Sequence, residues 1–101
     1  MDEARRMLKV YRAIDNDHRL NILAVLSNEP GISFNDLAKR IGINRGLLAY
    51  HLGVLKRVRL VRCEYERRSK KFTRYWLTEE GMEIVRKFKL NENDEATSIK
   101  V

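Results

Sequence analysis

Residues 33–61, with the sequence SFNDLAKRIGINRGLLAYHLGVLKRVRLV, predict two short helices joined by a tight turn. Ser33 is suited to cap the first helix, and Asp36 three residues later completes an S-x-x-D pattern that satisfies free backbone N–H groups. Gly42 lies where a left-handed residue is needed to end that helix. Asn44 is a good N-cap for the second. This order of signals predicts a helix-turn-helix.

The second helix of this pair divides into a buried side and an exposed side. Leu48, Leu52 and Leu55 recur at four- and three-residue spacing, so they anchor the helix on the core. The residues left facing outward are Arg45, Gly46, Ala49, Tyr50 and Gly53. Small residues allow a helix to enter the major groove of DNA, which is roughly 12 Å wide. The alternative is that the small residues serve close packing against another helix.

Two long polar side chains remain on the exposed side, and they are candidates to contact bases or phosphates. These are Arg45 and Tyr50. Leu47 is ambiguous, because it lies at the edge of this face, where a leucine can contact a thymine methyl. With the small residues Gly46 and Ala49, and with the capping residues, the candidate DNA contacts of this segment are Ser33, Asn44, Arg45, Gly46, Leu47, Ala49 and Tyr50.

Positive charge is concentrated on this segment and the residues that follow it. Twelve of the 21 Lys and Arg residues, but two of the 14 Asp and Glu residues, lie between Lys39 and Arg74. This window alone carries +10, the other 65 residues carry −3, and the chain has a formal net charge of +7. Such clustering is expected of a surface that neutralises phosphates. The alternative is that the cations only keep a surface solvated.

A pair of strands with a basic tip is predicted directly after the second helix. Residues 60–66 alternate as a strand, with Val61, Cys63 and Tyr65 on one face, and 72–78 form its partner, with Tyr75 and Leu77 on one face. The tip between them contains four cations and no apolar residue, in the order Arg67, Arg68, Ser69, Lys70 and Lys71. Such a ribbon can follow the phosphate backbone or enter a minor groove. The alternative is a charged tip that only prevents edge-to-edge aggregation.

Amphipathic helices are predicted outside the helix pair and the ribbon. A helix over residues 3–14 has an apolar stripe consisting of Ala4, Met7, Leu8, Tyr11 and Ile14. A helix capped by Asn16 or Asp17 follows, with a predicted buried stripe of Leu20, Leu23, Ala24 and Leu26. Thr78 caps the last helix, whose apolar stripe is made of Met82, Val85 and Phe88, with Ile84 beside it.

The two outermost helices also predict how the chain pairs with a second copy. A chain of 101 residues builds only a modest core, so it gains from dimerisation. We expect the first and last helices to supply the dimer interface, through Met7, Leu8, Tyr11, Ile14, Met82, Val85 and Phe88. Residues 1–90 then form one domain, and the acidic tail at 91–101, without periodicity, is expected to be disordered.

Composition limits where such a chain works. Its single cysteine, Cys63, excludes an intramolecular disulfide and suits a reducing cytoplasm. Apolar runs stay well below the roughly 18–20 residues of a membrane span, and the N-terminus lacks the apolar core of a signal peptide. We therefore expect a cytoplasmic protein. The 35% charged content and the absence of Gln favour a thermophile.

The central part of the chain resembles the winged helix-turn-helix regulators of the ArsR type and their archaeal relatives. The resemblance runs from His18 to about Gly81, and it is carried by HRLNIL at 18–23, LAKRIGINRGLLAYHLGVLKRVRLV at 37–61 and YWLTEEG at 75–81. It implies an α+β fold, mostly α, with a two-stranded β-wing, and a homodimeric DNA-binding transcriptional repressor. The recognition helix would be 44–57 in the major groove, with the wing tip at 67–71 on flanking DNA.

The sequence departs from that family at two places. Metal-sensing members carry cysteines in the helix before the turn, where this chain has GISFND at 31–36, so a thiolate metal site is disfavoured. We therefore expect no metal and no cofactor, and we expect His51 to pack at the helix base. Arg59 replaces the glycine that the family commonly has before the wing. A non-glycine residue costs strain if that turn needs a positive φ.

An enzymatic role is disfavoured, because the chain lacks a phosphate-binding glycine loop, a nucleophile elbow and an H-E-x-x-H motif. Cys63 alternates with Val61 and Tyr65, so we interpret it as a small buried apolar residue rather than a redox switch. Two alternatives to a specific regulator remain open. One is a non-specific architectural DNA-binding protein, and the other is a winged helix that binds an acidic protein partner.

Overall fold

The computed structural model describes residues 1–66 and 69–91, and within 66–72 it describes the backbone alone. The described residues form five α-helices and three β-strands. In chain order these are α1 Asp2–Ile14, α2 Asp17–Asn28, β1 Ile32–Ser33, α3 Phe34–Ile41, α4 Arg45–Arg57, β2 Val61–Glu66, β3 Ser69–Leu77 and α5 Glu79–Lys87. The predicted α+β, mostly helical winged helix is confirmed. The predicted tail lies outside the described residues, apart from Asn91.

Four helices begin at the predicted capping residues. The side-chain oxygens of Asn16, Ser33, Asn44 and Thr78 each accept the backbone N–H three residues further on, at 2.8–3.1 Å. Each such cap contributes about 1 kcal/mol to helix stability. Gly42 ends α3 with a φ of +79°, in the predicted left-handed conformation. The turn between α3 and α4 is therefore specified by local chemistry at both of its ends.

The sheet has three strands rather than the predicted two. Its order is β1-β3-β2 with antiparallel pairing, so Tyr75 in the central strand lies between Ile32 and Cys63. β1 contains two residues, too few for an alternation pattern, and only its pairing with β3 defines it. β3 begins at Ser69 rather than at Phe72, and Glu66 pairs with Ser69. The ribbon is therefore longer than predicted, and residues 67 and 68 lie outside the described residues.

In the two outer helices, the residues that face the core only partly coincide with the predicted apolar stripes. In α1 the core side consists of Val10, Ala13 and Ile14, whereas Leu8 is 53% exposed. In α5 the core side consists of Gly81, Ile84 and Val85, whereas Met82 is 42% and Phe88 45% exposed. On both helices the apolar residues cover a wider part of the helix surface than the rest of the chain buries. In α2, Ile22 is buried with Leu23 and Leu26, while Leu20 and Ala24 are half-buried.

The turn after α4 does require a positive φ, and Arg59 adopts it at +62°. Arg59 donates its backbone N–H to the carbonyl of Lys56, and Leu60 donates to that of Leu55, both at 3.0 Å. This is the Schellman arrangement, in which glycine is the usual left-handed residue. Lys89, with a φ of +56°, closes α5 in the same way. The chain therefore accepts backbone strain at two helix ends, each with a cation that complements the helix dipole.

Gly81 allows α5 to approach the turn between α4 and β2. A Cβ atom at this position would overlap the carbonyl oxygen of Leu60, which accepts the backbone N–H of Thr78 at 3.0 Å. The Thr78 hydroxyl also donates to the carbonyl of Arg59 at 2.6 Å. The start of α5 is therefore fixed against the end of α4. No helix of the described residues is long and apolar enough to cross a membrane.

We predict that Gly81→Ala destabilises the fold by about 1–3 kcal/mol, because the added methyl must displace backbone. Alanine is the better helix former by about 1 kcal/mol, so propensity alone predicts the opposite sign. Gly53→Ala is the matched control, since a Cβ there lies 3.9 Å from its nearest neighbour, Arg57 Nη1, and should stabilise α4. Urea unfolding measures both variants. Equal stability of Gly81→Ala and the natural protein would contradict the close approach.

Candidate nucleic-acid interface

The buried side of α4 determines which residues the helix presents. Leu48, Leu52 and Leu55 are almost completely buried in the core that α2, α3 and the sheet complete. The opposite side is exposed, and it carries five of the predicted DNA contacts, namely Arg45, Gly46, Leu47, Ala49 and Tyr50. We refer to these five residues as the reading face. They form a continuous surface of the helix because they lie within its first two turns.

Arg45 is positioned by the neighbouring helix. Its guanidinium carbon lies 5.5 Å from the centroid of the Phe34 ring, within the range of a cation–π contact. Phe34 is half-buried at the start of α3 and packs against the core. Arg45 also lines a shallow depression with Asn35 and Lys39. The charge therefore remains exposed while the aromatic ring limits where the side chain can lie.

Tyr50 provides the other long side chain of the reading face. It is 58% exposed, and its ring centroid lies 5.2 Å from that of His51 in an edge-on contact. His51 itself is buried, so it supports one side of the tyrosine ring. The phenol hydroxyl group can donate or accept a hydrogen bond. The tyrosine hydroxyl is therefore available to an external ligand, while the contact with His51 supports the ring.

The two glycines of α4 are not required for packing among the described residues. A Cβ atom built at Gly46 lies 3.5 Å from Asn44 Oδ1, and at Gly53 the nearest atom belongs to Arg57 of the same helix. Both are ordinary distances, and neither neighbour belongs to another helix. This excludes, within the described chain, the alternative that these glycines allow a second helix to pack closely. A side chain larger than hydrogen would therefore fit at both positions within the described residues.

The two capping residues among the predicted contacts have different environments. Ser33 is only 7% exposed, and its Oγ accepts the N–H of Asp36, so it lies beneath the surface and not on the reading face. Asn44 is exposed, and its Oδ1 accepts the N–H of Leu47. Asn44 therefore borders the reading face while it caps α4, whereas Ser33 serves as a helix cap for α3.

The ribbon is fixed to the body of the domain through Arg62, Arg74 and Trp76. The Arg62 guanidinium lies 4.7 Å from the centroid of a Trp76 ring. Trp76 in turn packs on Gly31, where a Cβ would lie 3.3 Å from the indole. Arg74 Nη1 donates to the carbonyl of Gly31 at 2.9 Å. These contacts hold the base of the wing, and sequence patterns did not reveal them because Gly31 lies more than 40 positions before its two partners.

The predicted tip cations fall mostly outside what the structure describes. Arg67 and Arg68 lie outside the described residues, and for Lys70 and Lys71 the backbone is described as part of β3. β1 pairs with β3 only at Arg74 and Tyr75, so the earlier residues of β3 belong to the part of the sheet that β1 does not reach. Glu66 pairs with Ser69, so the backbone of Lys70 and Lys71 follows directly after the last described pair of the ribbon.

The residues predicted for a dimer interface divide into two groups. Ile14 and Val85 lie in the core of the single chain, and Met7 is half-buried. The exposed members are Leu8, Tyr11, Met82 and Phe88. The Tyr11 and Phe88 rings meet edge-on with centroids 6.3 Å apart, and Lys87 Nζ donates to the Tyr11 hydroxyl at 3.0 Å. Together with Leu20 and Leu90 these two rings line an apolar groove of about 590 Å³.

The structure brings together two histidines that are 33 positions apart in the sequence. The rings of His18 and His51 have centroids 5.4 Å apart. Burial lowers the pKa of His51 below its usual value, and the positive charges of Arg19 and His18 lower it further. Its Nδ1 is buried without a hydrogen-bond partner in the described structure. The fold therefore favours neutral His51. Within residues 1–66 and 69–91, no group of three or more His, Cys, Asp or Glu could hold a metal ion.

Comparison with known proteins shows which proteins this chain is similar to in sequence and in fold. Residues 15–62 match a family model described as winged helix-turn-helix DNA-binding. No curated protein sequence matches the chain significantly. HlyU from Vibrio cholerae has a similar structure, with a TM-score of 0.74 and 24% identity over 85% of this chain and 90% of its own.

Two further structures show the same fold. HlyU from Vibrio vulnificus, described as a transcriptional regulator, has a TM-score of 0.70 and 25% identity over 86% of this chain and 88% of its own. A mutant of MepR from S. aureus, bound to an oligodeoxyribonucleotide, has a TM-score of 0.70 and 17% identity over 96% of this chain and 72% of its own. Residues 15–62 of this chain are thus similar to a winged helix-turn-helix DNA-binding family, and the chain has the winged-helix fold of these solved structures.

Proposed function

We propose that this protein is a sequence-specific, double-stranded-DNA-binding transcriptional regulator, and that it acts in the cytoplasm as a homodimeric repressor of the ArsR-like type. In this proposal α4 enters the major groove, and the ribbon tip at 67–71 contacts flanking DNA. The matched family is defined by DNA binding and is not an enzyme class. The lack of cysteines at 31–36 sets the protein apart from thiolate metal sensors.

The composition and exposure of the reading face of α4 are the main support for this proposal. Its two long polar side chains, Arg45 and Tyr50, lie beside Gly46 and Ala49, which are small enough for the helix backbone to approach another surface closely. Arginine can donate two parallel hydrogen bonds to guanine in the major groove, which is the commonest specific contact to a base. A helix that is exposed, carries small side chains and begins with an arginine is therefore suited to contact base edges in the major groove.

The charge distribution supports a division of labour between helix and ribbon. Phosphate contacts set the position of a protein on DNA but carry no sequence information, whereas contacts to base edges carry it. The tip contains four cations within five residues, and the reading face contains one cation beside uncharged groups. We infer that the tip supplies affinity for any duplex, and that the reading face supplies discrimination.

Selection from a pool of random duplexes at about 150 mM salt tests this function, with the natural protein and its variants in parallel. We expect a palindromic consensus with half-sites about one helical turn apart. Arg45→Ala or Tyr50→Ala should flatten the consensus, with a loss of roughly 1–3 kcal/mol of discrimination at the base contacted. Neutralising Arg67, Arg68, Lys70 and Lys71 together should weaken binding to all duplexes alike.

The possible outcomes separate the three candidate functions. A flat consensus for the natural protein, with strong retention of every duplex, would instead indicate an architectural protein. An absence of retention would favour a protein partner. Loss of specificity in the tip variant, with specificity kept in the helix variants, would reverse the assigned roles.

A homodimer accounts for the apolar side chains that the chain leaves exposed on α1 and α5. Leu8 and Met82 lie on the outer sides of these helices, and the Tyr11–Phe88 pair lies beside the apolar groove described above. Exposed large apolar patches of this kind mark interaction surfaces. Pairing two copies through α1 and α5 would also place two α4 helices in one assembly, as a palindromic site requires.

We predict that Leu8→Glu and Met82→Glu each weaken dimerisation at least about tenfold, because each would bury a charge in an apolar interface. Both residues are exposed in the single chain, so the fold should persist, as unchanged circular dichroism would show. Tyr65→Glu, at an exposed apolar position on the ribbon, is the matched control and should leave dimerisation unchanged. Analytical ultracentrifugation measures all three. A monomeric natural protein at micromolar concentration would contradict the proposed assembly.

A further inference from the structure

A second group of cations lies in a groove between α1 and the turn that follows α4. The groove has a volume of about 440 Å³, and Val10 and Val58 contribute its apolar lining. One acidic residue, Asp2, also lines it. The cations that line it are Arg5, Arg6, Lys9, Arg57 and Arg59. Five cations thus converge on a concave surface from two separate elements of the fold.

Most of this positive charge is not neutralised within the described chain. Arg6 forms an ion pair with Glu80. Among the described residues, no ion pair involves Arg5, Lys9, Arg57 or Arg59. Arg5 and Lys9 lie one helical turn apart on α1, where like charges repel each other. An anion in the groove would relieve this repulsion.

Arg59 enters the groove from a strained backbone position. Its φ of +62° favours glycine, and a glycine there would relieve the strain but remove the guanidinium. Lys89 occupies the equivalent cap at the end of α5, with a φ of +56°, and it does not line this groove. The cap chemistry is therefore common to both residues, and only Arg59 adds a cation to the groove.

The groove is separate from the surfaces assigned above. It lies at the end of α4, twelve or more residues beyond Arg45, which at 1.5 Å per residue is roughly 18 Å along the helix. On α1, the groove is lined through Arg5 and Lys9, whereas Leu8 and Tyr11 belong to the exposed apolar side. A ligand in the groove would leave both the reading face and the apolar side uncovered.

We propose that this groove is a binding site for a ligand that carries several phosphate groups. Arginine presents planar, paired donors that match phosphate oxygens, and four arginines line the groove. The phosphates could belong to a free molecule or to the backbone of bound DNA, and the chemistry of recognition is the same. This proposal does not depend on the proposed reading of DNA sequence by α4. A free polyphosphate therefore tests it without any duplex.

Titration calorimetry of the full chain with sodium tripolyphosphate tests the site, with Arg59→Gly compared against Lys89→Gly. Each variant loses one positive charge, and each places glycine at a position with a positive φ, which removes the backbone strain there. Both variants should therefore melt at a higher temperature than the natural protein. We expect Arg59→Gly to bind tripolyphosphate roughly tenfold more weakly, as for the loss of a charged hydrogen bond. Lys89→Gly should retain the affinity of the natural protein. Arg5→Gln, on the α1 wall, should reproduce the loss.

A parallel titration with a duplex of fixed sequence identifies the source of the phosphates. A loss of duplex affinity in Arg59→Gly but not in Lys89→Gly assigns the groove to the DNA backbone. A loss confined to tripolyphosphate assigns it to a free phosphate-bearing molecule. Equal binding of both probes by the two variants, or no binding of tripolyphosphate by the natural protein, would overturn the proposal.

Discussion

The burial of Leu48, Leu52 and Leu55 determines which side of α4 the protein presents to a ligand. These side chains fix the rotation of α4 about its axis, because each of them is at most 2% exposed. A rotation by one residue, about 100°, would carry these three leucines toward solvent and lose the free energy of their burial. The position of Arg45 and Tyr50 on the outside therefore follows from packing on the inside.

The turn at Arg59 and Leu60 holds the other elements in place relative to α4. The carbonyls of both residues accept hydrogen bonds from Thr78, at 2.6 and 3.0 Å, and Gly81 lets α5 approach the same point. The end of α4, the base of the ribbon and the start of α5 are thus joined within a few residues. This turn relates the ribbon to the reading face, and it also forms one wall of the cationic groove.

Local signals in the sequence were sufficient for the helix pair, whereas contacts between distant residues were not predictable. Asn44 and Gly42 specify their turn through their own chemistry, so the turn could be predicted. β1 has two residues and exists only through pairing with β3, and Arg62 meets Trp76 only after the sheet forms. The sequence did not reveal which apolar residues of α1 and α5 face the core, because both helices carry more apolar residues than one chain covers.

We propose that the outer side of α4 reads DNA because its inner side is fixed by the core. Titration of ¹⁵N-labelled protein with a selected duplex, followed by amide chemical shifts, tests this directly. We predict the largest changes at Arg45, Gly46, Ala49 and Tyr50, with smaller changes at the buried leucines of the same helix. A scrambled duplex should affect mainly the ribbon. The largest changes on α1 or α5, with residues 45–50 unaffected, would contradict the proposal.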